Sequence, residues 1–151
     1  MFKSRAGHRR IGDAQQRGAA AVEFALVLPL LLSLLLGVID FGVAFGQNVS
    51  LQGAAREGAR QGVTQGDVIA SVARARGLLD ATQLQVNFGV DTSGGVPGQI
   101  VVCLRYPQSS LTGFYSWVLG GNFEAKAVMK MESPAAVTSG SQYWNGGTCT
   151  P

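Results

Sequence analysis

The chain has 151 residues and a formal charge of +3, with one histidine and two cysteines. That length leaves room for one small domain beside a membrane segment. The positive charge is concentrated at the start, where Lys3, Arg5, Arg9, Arg10 and Arg17 outnumber Asp13. The remaining residues carry seven basic and eight acidic side chains, so nucleic-acid binding loses the basic face it needs for phosphates.

Residues 1–18 form a basic leader, read as a cytoplasmic positive-inside segment. Its first seventeen residues have little apolar content and no usable period, and are expected to be disordered or to lie at the membrane surface. Residues 19–46 follow as a transmembrane helix, with an uninterrupted leucine-rich centre from Phe24 to Ile39. A run of about 20 apolar residues is long enough to cross a bilayer. Pro29 removes one backbone hydrogen bond there, which a membrane helix tolerates. Glu23 and Asp40 flank the centre, although a carboxylate in hydrocarbon costs roughly 2.5–3.5 kcal/mol. Asp40 is read as a hydrated residue at the outer interface. Basic residues before the span and none for nine residues after it predict a cytoplasmic N-terminus and an extracytoplasmic remainder. Cys103 and Cys149 then face an oxidising space, where a disulfide between them can persist and would stabilise by roughly 3–4 kcal/mol.

Residues 47–63 read as an extension of the helix. Gly42 and Gly46 are four apart, as are Gly58 and Gly62, with Ala54 and Ala55 before the second pair. Small residues at this spacing let helix backbones approach closely. Each glycine costs a water-exposed helix about 0.8–1 kcal/mol relative to alanine, so close packing against a partner is expected to offset the loss. Arg56, Glu57 and Arg60 give this helix a polar side.

Residues 64–132 read as an extracytoplasmic α+β head. Asp67 can cap a short helix from Val68, which places Ile69, Val72, Ala73, Arg76 and Leu79 near one face and ends near Gly77–Asp80. The period then becomes alternating. Gln83 to Val90 is a strand with Leu84, Val86, Phe88 and Val90 on one side. Asp91–Gly98 is turn chemistry, Gln99 to Tyr106 is a second strand stopped by Pro107, and Phe123 to Glu132 is a third. Between the last two lies LTGFYSWVLGG, either a short helix covering the sheet or an exposed contact patch. Residues 133–151 are rich in Ser, Thr, Gly and Pro and should lack regular structure, apart from a pin at Cys149. The predicted class is α+β: a long N-terminal transmembrane helix, a short helix and a small three-stranded antiparallel sheet.

Catalytic chemistry is missing. The single histidine, His8, lies in the leader, which removes the usual base or metal ligand from the head. Gly94-Gly95-Val96-Pro97-Gly98 lacks the lysine and following helix of a phosphate loop. The expectation is a non-enzymatic protein with no cofactor, no metal and no small-molecule substrate.

Two readings of the N-terminus compete. An ordinary secretory signal could end at Ala44-Phe45-Gly46, but its apolar region would be about twice the usual 7–15 residues. Alternatively, cleavage after Gly18 leaves the span as the new N-terminus. Residues Arg17-Gly18-Ala19-Ala20-Ala21-Val22-Glu23-Phe24 resemble the G-x-x-x-x-E-F junction of type IVb prepilins of the tight-adherence (Tad/Flp) system. More closely, RGAAAVEFALVLPLLL with the later QGAAREGAR resembles the TadE-like family of pilin-related proteins, over roughly residues 15–63. The resemblance implies that a membrane prepilin peptidase cuts between Gly18 and Ala19. Glu23 and Phe24 become the fifth and sixth mature residues, and the partners are other pilin-like subunits and the Tad assembly machinery. In a packed assembly Glu23 can pair with the ammonium at Ala19 of a neighbour, which offsets its desolvation and sets register. The rival reading is a membrane-tethered or secreted surface protein whose head binds a ligand and has no fibre role.

Overall fold

The computed structural model describes residues 11–91, 98–131 and 139–147, with side chains from residue 18 onward. The chain divides into two units, Met1–Val38 and Ile39–Pro151. A single helix, α1 (Ile11–Val63), contributes to both. It starts seven residues before Gly18, inside the stretch expected to be disordered or surface-bound, and it runs without interruption through the extension to Val63. Pro29 is accommodated within it.

In the first unit the apolar side chains of α1 are exposed, Leu26, Leu30 and Leu34 among them. Gly18–Val63 contains a stretch long and apolar enough to cross a membrane, as sequence length and hydropathy require.

In the second unit α1 ends in a turn that the sequence does not advertise. Gln65 adopts the left-handed region (φ 61°). Gly66 N–H donates to the Gln61 carbonyl at 3.0 Å and Gln65 N–H to the Gly62 carbonyl at 3.1 Å, the paired bonds that close a helix C-terminus. Asp67 then caps α2 (Val68–Ala75), its carboxylate accepting from the Ala70 N–H at 2.9 Å. The cap is as predicted, but the buried face is Val68, Ser71 and Val72, while Ala73 and Arg76 are exposed. The helix stops at Ala75, two residues before Gly77.

The sheet has four strands, not three: β1 (Gln85–Asp91), β2 (Gln99–Gln108), β3 (Gly121–Lys130) and β4 (Gly140–Gln142), in spatial order β3-β2-β1-β4 with every pairing antiparallel. The fourth comes from the tail expected to lack regular structure. Its register sets Gly140 opposite Phe88, and a side chain at Gly140 would meet that ring at 2.8 Å. A tail of this composition carries no strand signal, so backbone pairing and an aromatic ring over glycine do the work that alternation does elsewhere. Pro107 does not end β2. It pairs with Asn122 beyond Arg105, the last β2 residue that β1 reaches. A strand bordered on one side alone tolerates proline. The predicted hairpin between β1 and β2 is present as register Asp91↔Gln99, while residues 92–97 of its turn lie outside the described residues.

One face of the sheet is covered by α1 and α2. Leu51, Ala54, Ala55 and Ala59 of α1 and Val68 and Val72 of α2 form a single buried cluster with Val86, Ile100, Val102, Leu104, Tyr106, Ala125 and Ala127. Alternation along β1–β3 supplies the sheet's half, as the sequence predicts. The glycines permit the close approach. A Cβ at Gly58 would lie 2.6 Å from Val72 Cγ2, and at Gly62 it would overlap Ile100 Cδ1.

Candidate assembly segment and its junction with the head

The residues singled out in the sequence fall into four groups. Gly18, Ala19, Glu23 and Phe24 lie on the exposed helix of the first unit, with Phe24 60% accessible. Open space surrounds the position a Gly18 side chain would take. The backbone at the Gly18–Ala19 bond is helical and uncovered, and Glu23 is exposed.

The small-residue stripe forms the second group, and its neighbours differ from those expected. Gly42 has open space around it, but Gly46 approaches Leu78, and Ala54, Gly58 and Gly62 are buried against α2 and the sheet of the same chain. The face read as a contact for a partner helix is occupied by the protein's own head. Periodicity marks a face that must be covered without saying what covers it. The polar side of the same helix is as expected, with Arg60 donating to Glu57 through Nε at 2.9 Å and Nη2 at 2.6 Å.

Asp40 is the third group and overturns its sequence reading. It is 1% exposed, not hydrated. Its carboxylate accepts from Ser110 Oγ at 2.5 Å, from the Thr112 N–H at 2.9 Å and from Thr112 Oγ1 at 2.7 Å. Ser110 Oγ in turn accepts from the Gly113 N–H at 2.8 Å. These bonds hold the segment between β2 and β3 against α1. Phe41 and Tyr115 meet there with ring centroids 5.9 Å apart, and Leu119 is buried. The available signal was an acid adjoining an apolar run together with a distant Ser-x-Thr turn, a loop closure of some seventy residues that local patterns do not reveal.

Cys103 sits half-buried on β2, on the sheet face away from the helices, and Cys149 lies outside the described residues. A shallow groove beside it is lined by Cys103, Glu124, Lys126, Trp144 and Gly147. Among the described residues no three His, Cys, Asp or Glu side chains group together as metal ligands.

Residues 18–60 match the family model described as TadE-like protein. The chain is TadE-like over that segment. The match begins at the glycine of the proposed junction and ends inside the α1 stretch that packs on the head, so the TadE-like segment includes Glu23, Asp40 and Gly58. It connects the chain with Tad pilus assembly. Neither the curated proteins nor the solved structures yielded a match.

Proposed function

We propose that the protein is a minor pilin or pseudopilin that takes part in assembly of a Tad/Flp-type (type IVb) pilus through packing of its N-terminal helix. The observation that carries this reading is the TadE-like match beginning at Gly18, with an exposed acid, Glu23, five residues later. A prepilin peptidase cuts after Gly18, the helix from Ala19 anchors the protein in the cell membrane, and the head faces outward. Glu23 meets the Ala19 ammonium of a neighbouring subunit, an ion pair that offsets the cost of holding either charge in an apolar bundle. Because Gly46 and Gly58 serve the head, the surface offered to neighbours is the exposed helix ahead of Asp40. The absence of a free cysteine among the described residues supports a Cys103–Cys149 bond in the oxidising compartment.

The test is the mature N-terminus and the behaviour of Glu23→Ala. Peptide sequencing that starts at Ala19, with a variant that inserts in the membrane but is lost from assembled pili, supports the reading. A start at Gln47 overturns it. Met1 retained together with normal pilus formation by Glu23→Ala supports the alternative, a membrane-tethered surface protein with a binding head and no fibre role.

A further inference from the structure

Among the described residues of the head, the segment between β2 and β3 holds four exposed large apolar side chains. Leu111, Phe114, Trp117 and Val118 are all exposed, Trp117 at 82%. Around Phe114 the backbone is a succession of turns, with bonds from Ser116 N–H to the Gly113 carbonyl and from Val118 and Leu119 N–H to the Tyr115 carbonyl. A contiguous aromatic patch on a soluble surface marks a contact site. Its location decides which contact. The three bonds to Asp40 tie the segment to the first charged residue after the apolar run Phe24–Ile39. From Ala19 to Ile39 the helix has enough residues, at about 1.5 Å each, to cover the roughly 30 Å of hydrocarbon. If those residues span the bilayer, Asp40 marks its edge. Phe41, exposed on α1, continues the apolar surface where it meets Tyr115 of the loop.

We propose that residues 111–118 are a lipid seat: they insert into the headgroup region of the leaflet on the head's side of the membrane. Aromatic side chains with one apolar and one polar end favour that depth, and apolar side chains of surface-bound segments reach about 5–10 Å into it. Donors from Ser110 and Thr112 satisfy the Asp40 carboxylate, which lowers the cost of holding that acid at the edge of the hydrocarbon. A second copy of the chain is the other possible occupant. The lipid surface is favoured because Asp40 fixes the loop at the end of the span, where lipid meets every membrane-inserted copy, assembled or not. The inference rests on the spanning part of the proposed function.

The test uses the full chain as Trp144→Phe, leaving Trp117 as its tryptophan, in vesicles of phosphatidylcholine and phosphatidylglycerol with bromine at a shallow or a deep acyl position. Blue-shifted Trp117 emission, lost for the most part with shallow bromine and little affected by deep bromine, is expected. The companion Trp117→Phe, which reports on Trp144 beside the groove at Cys103, should be unquenched. Alkaline carbonate separates the two readings. A chain it extracts overturns the span, and the seat with it. A carbonate-resistant chain overturns the seat alone if Trp117 emits as in water, if it is blue-shifted but unquenched (a protein surface then covers it), or if Trp144 is quenched equally.

Discussion

Gly53 and Gly58 lie five residues apart on α1, and the same substitution at each should move stability in opposite directions. Gly→Ala in a helix interior gains about 0.8–1 kcal/mol from backbone preference alone. At Gly53 nothing lies within 4 Å of the new methyl, so the full gain is expected. At Gly58 the methyl would lie 2.6 Å from Val72 Cγ2 and 3.4 Å from Val102 Cγ1. Both valines are fully buried, and a β-branched side chain cannot turn its methyl away without leaving its one favoured rotamer. Overpacking of this kind costs about 1–3 kcal/mol. Because the helix-preference contribution is common to both sites, the difference between the variants isolates the steric cost, and Gly58→Ala should be the less stable by about 1–3 kcal/mol. Urea unfolding of the full chain in lipid nanodiscs, followed by near-UV circular dichroism, measures both. Equal stabilisation by the two variants would refute the packing of α1 on its own head and return the stripe to an intermolecular role.

Asp40→Ala removes the acceptor for Ser110 and Thr112; amide exchange should accelerate at Thr112–Leu119 while β1–β3 stay protected, and unchanged exchange would show that the loop holds without its anchor. Gln65→Gly relieves a left-handed residue at the end of α1 and should stabilise the head by up to about 1 kcal/mol, measured in the same unfolding assay. Asp80 has its pKa lowered by the Thr82 backbone N–H and hydroxyl, with help from Arg76. The folded value lies below the unfolded one, so the stability it contributes is complete above the ordinary carboxylate range and disappears as pH falls through the folded value. Asp80→Asn should flatten acid sensitivity in that window. Alkylation under denaturing conditions should label neither Cys103 nor Cys149 before reduction and both after.

The sequence makes the helix, the Asp67 cap and three strands legible because each follows from a local rule: length and hydropathy, a side-chain acceptor before a helix, and alternation of Val86, Phe88, Ile100, Val102, Ala125 and Ala127. Other features depend on distant partners. β4 exists because β1 has an open side, and its Gly-Ser-Gln carries no alternation to read. The covered face of α1 was visible at Ala54, Gly58 and Gly62, but a small-residue stripe suits a sheet as well as a second helix. At Asp40 the sequence shows an acid beside an apolar run, an unusual place for a charge. The donors that satisfy it arrive some seventy residues later, beyond the reach of spacing arguments. For the proposed junction, the residues and their order carry the assignment, since the helix around Gly18 has the same regular geometry as its neighbours.

The brevity of β4 bears on how copies of this protein avoid one another. A sheet edge is a template on which a foreign strand can template itself, and natural proteins blunt such edges with short or covered strands. Here three residues shield Val86, Asn87 and Phe88 of β1, with the Phe88 ring against Gly140 closing the seam. A protease cut after Met131, followed by reduction of the proposed Cys103–Cys149 bond, would release that shield and leave seven residues of β1 open on one side. Among the described residues β3 pairs on one side only, so the short β4 guards one of the sheet's two edges and leaves the other to β3.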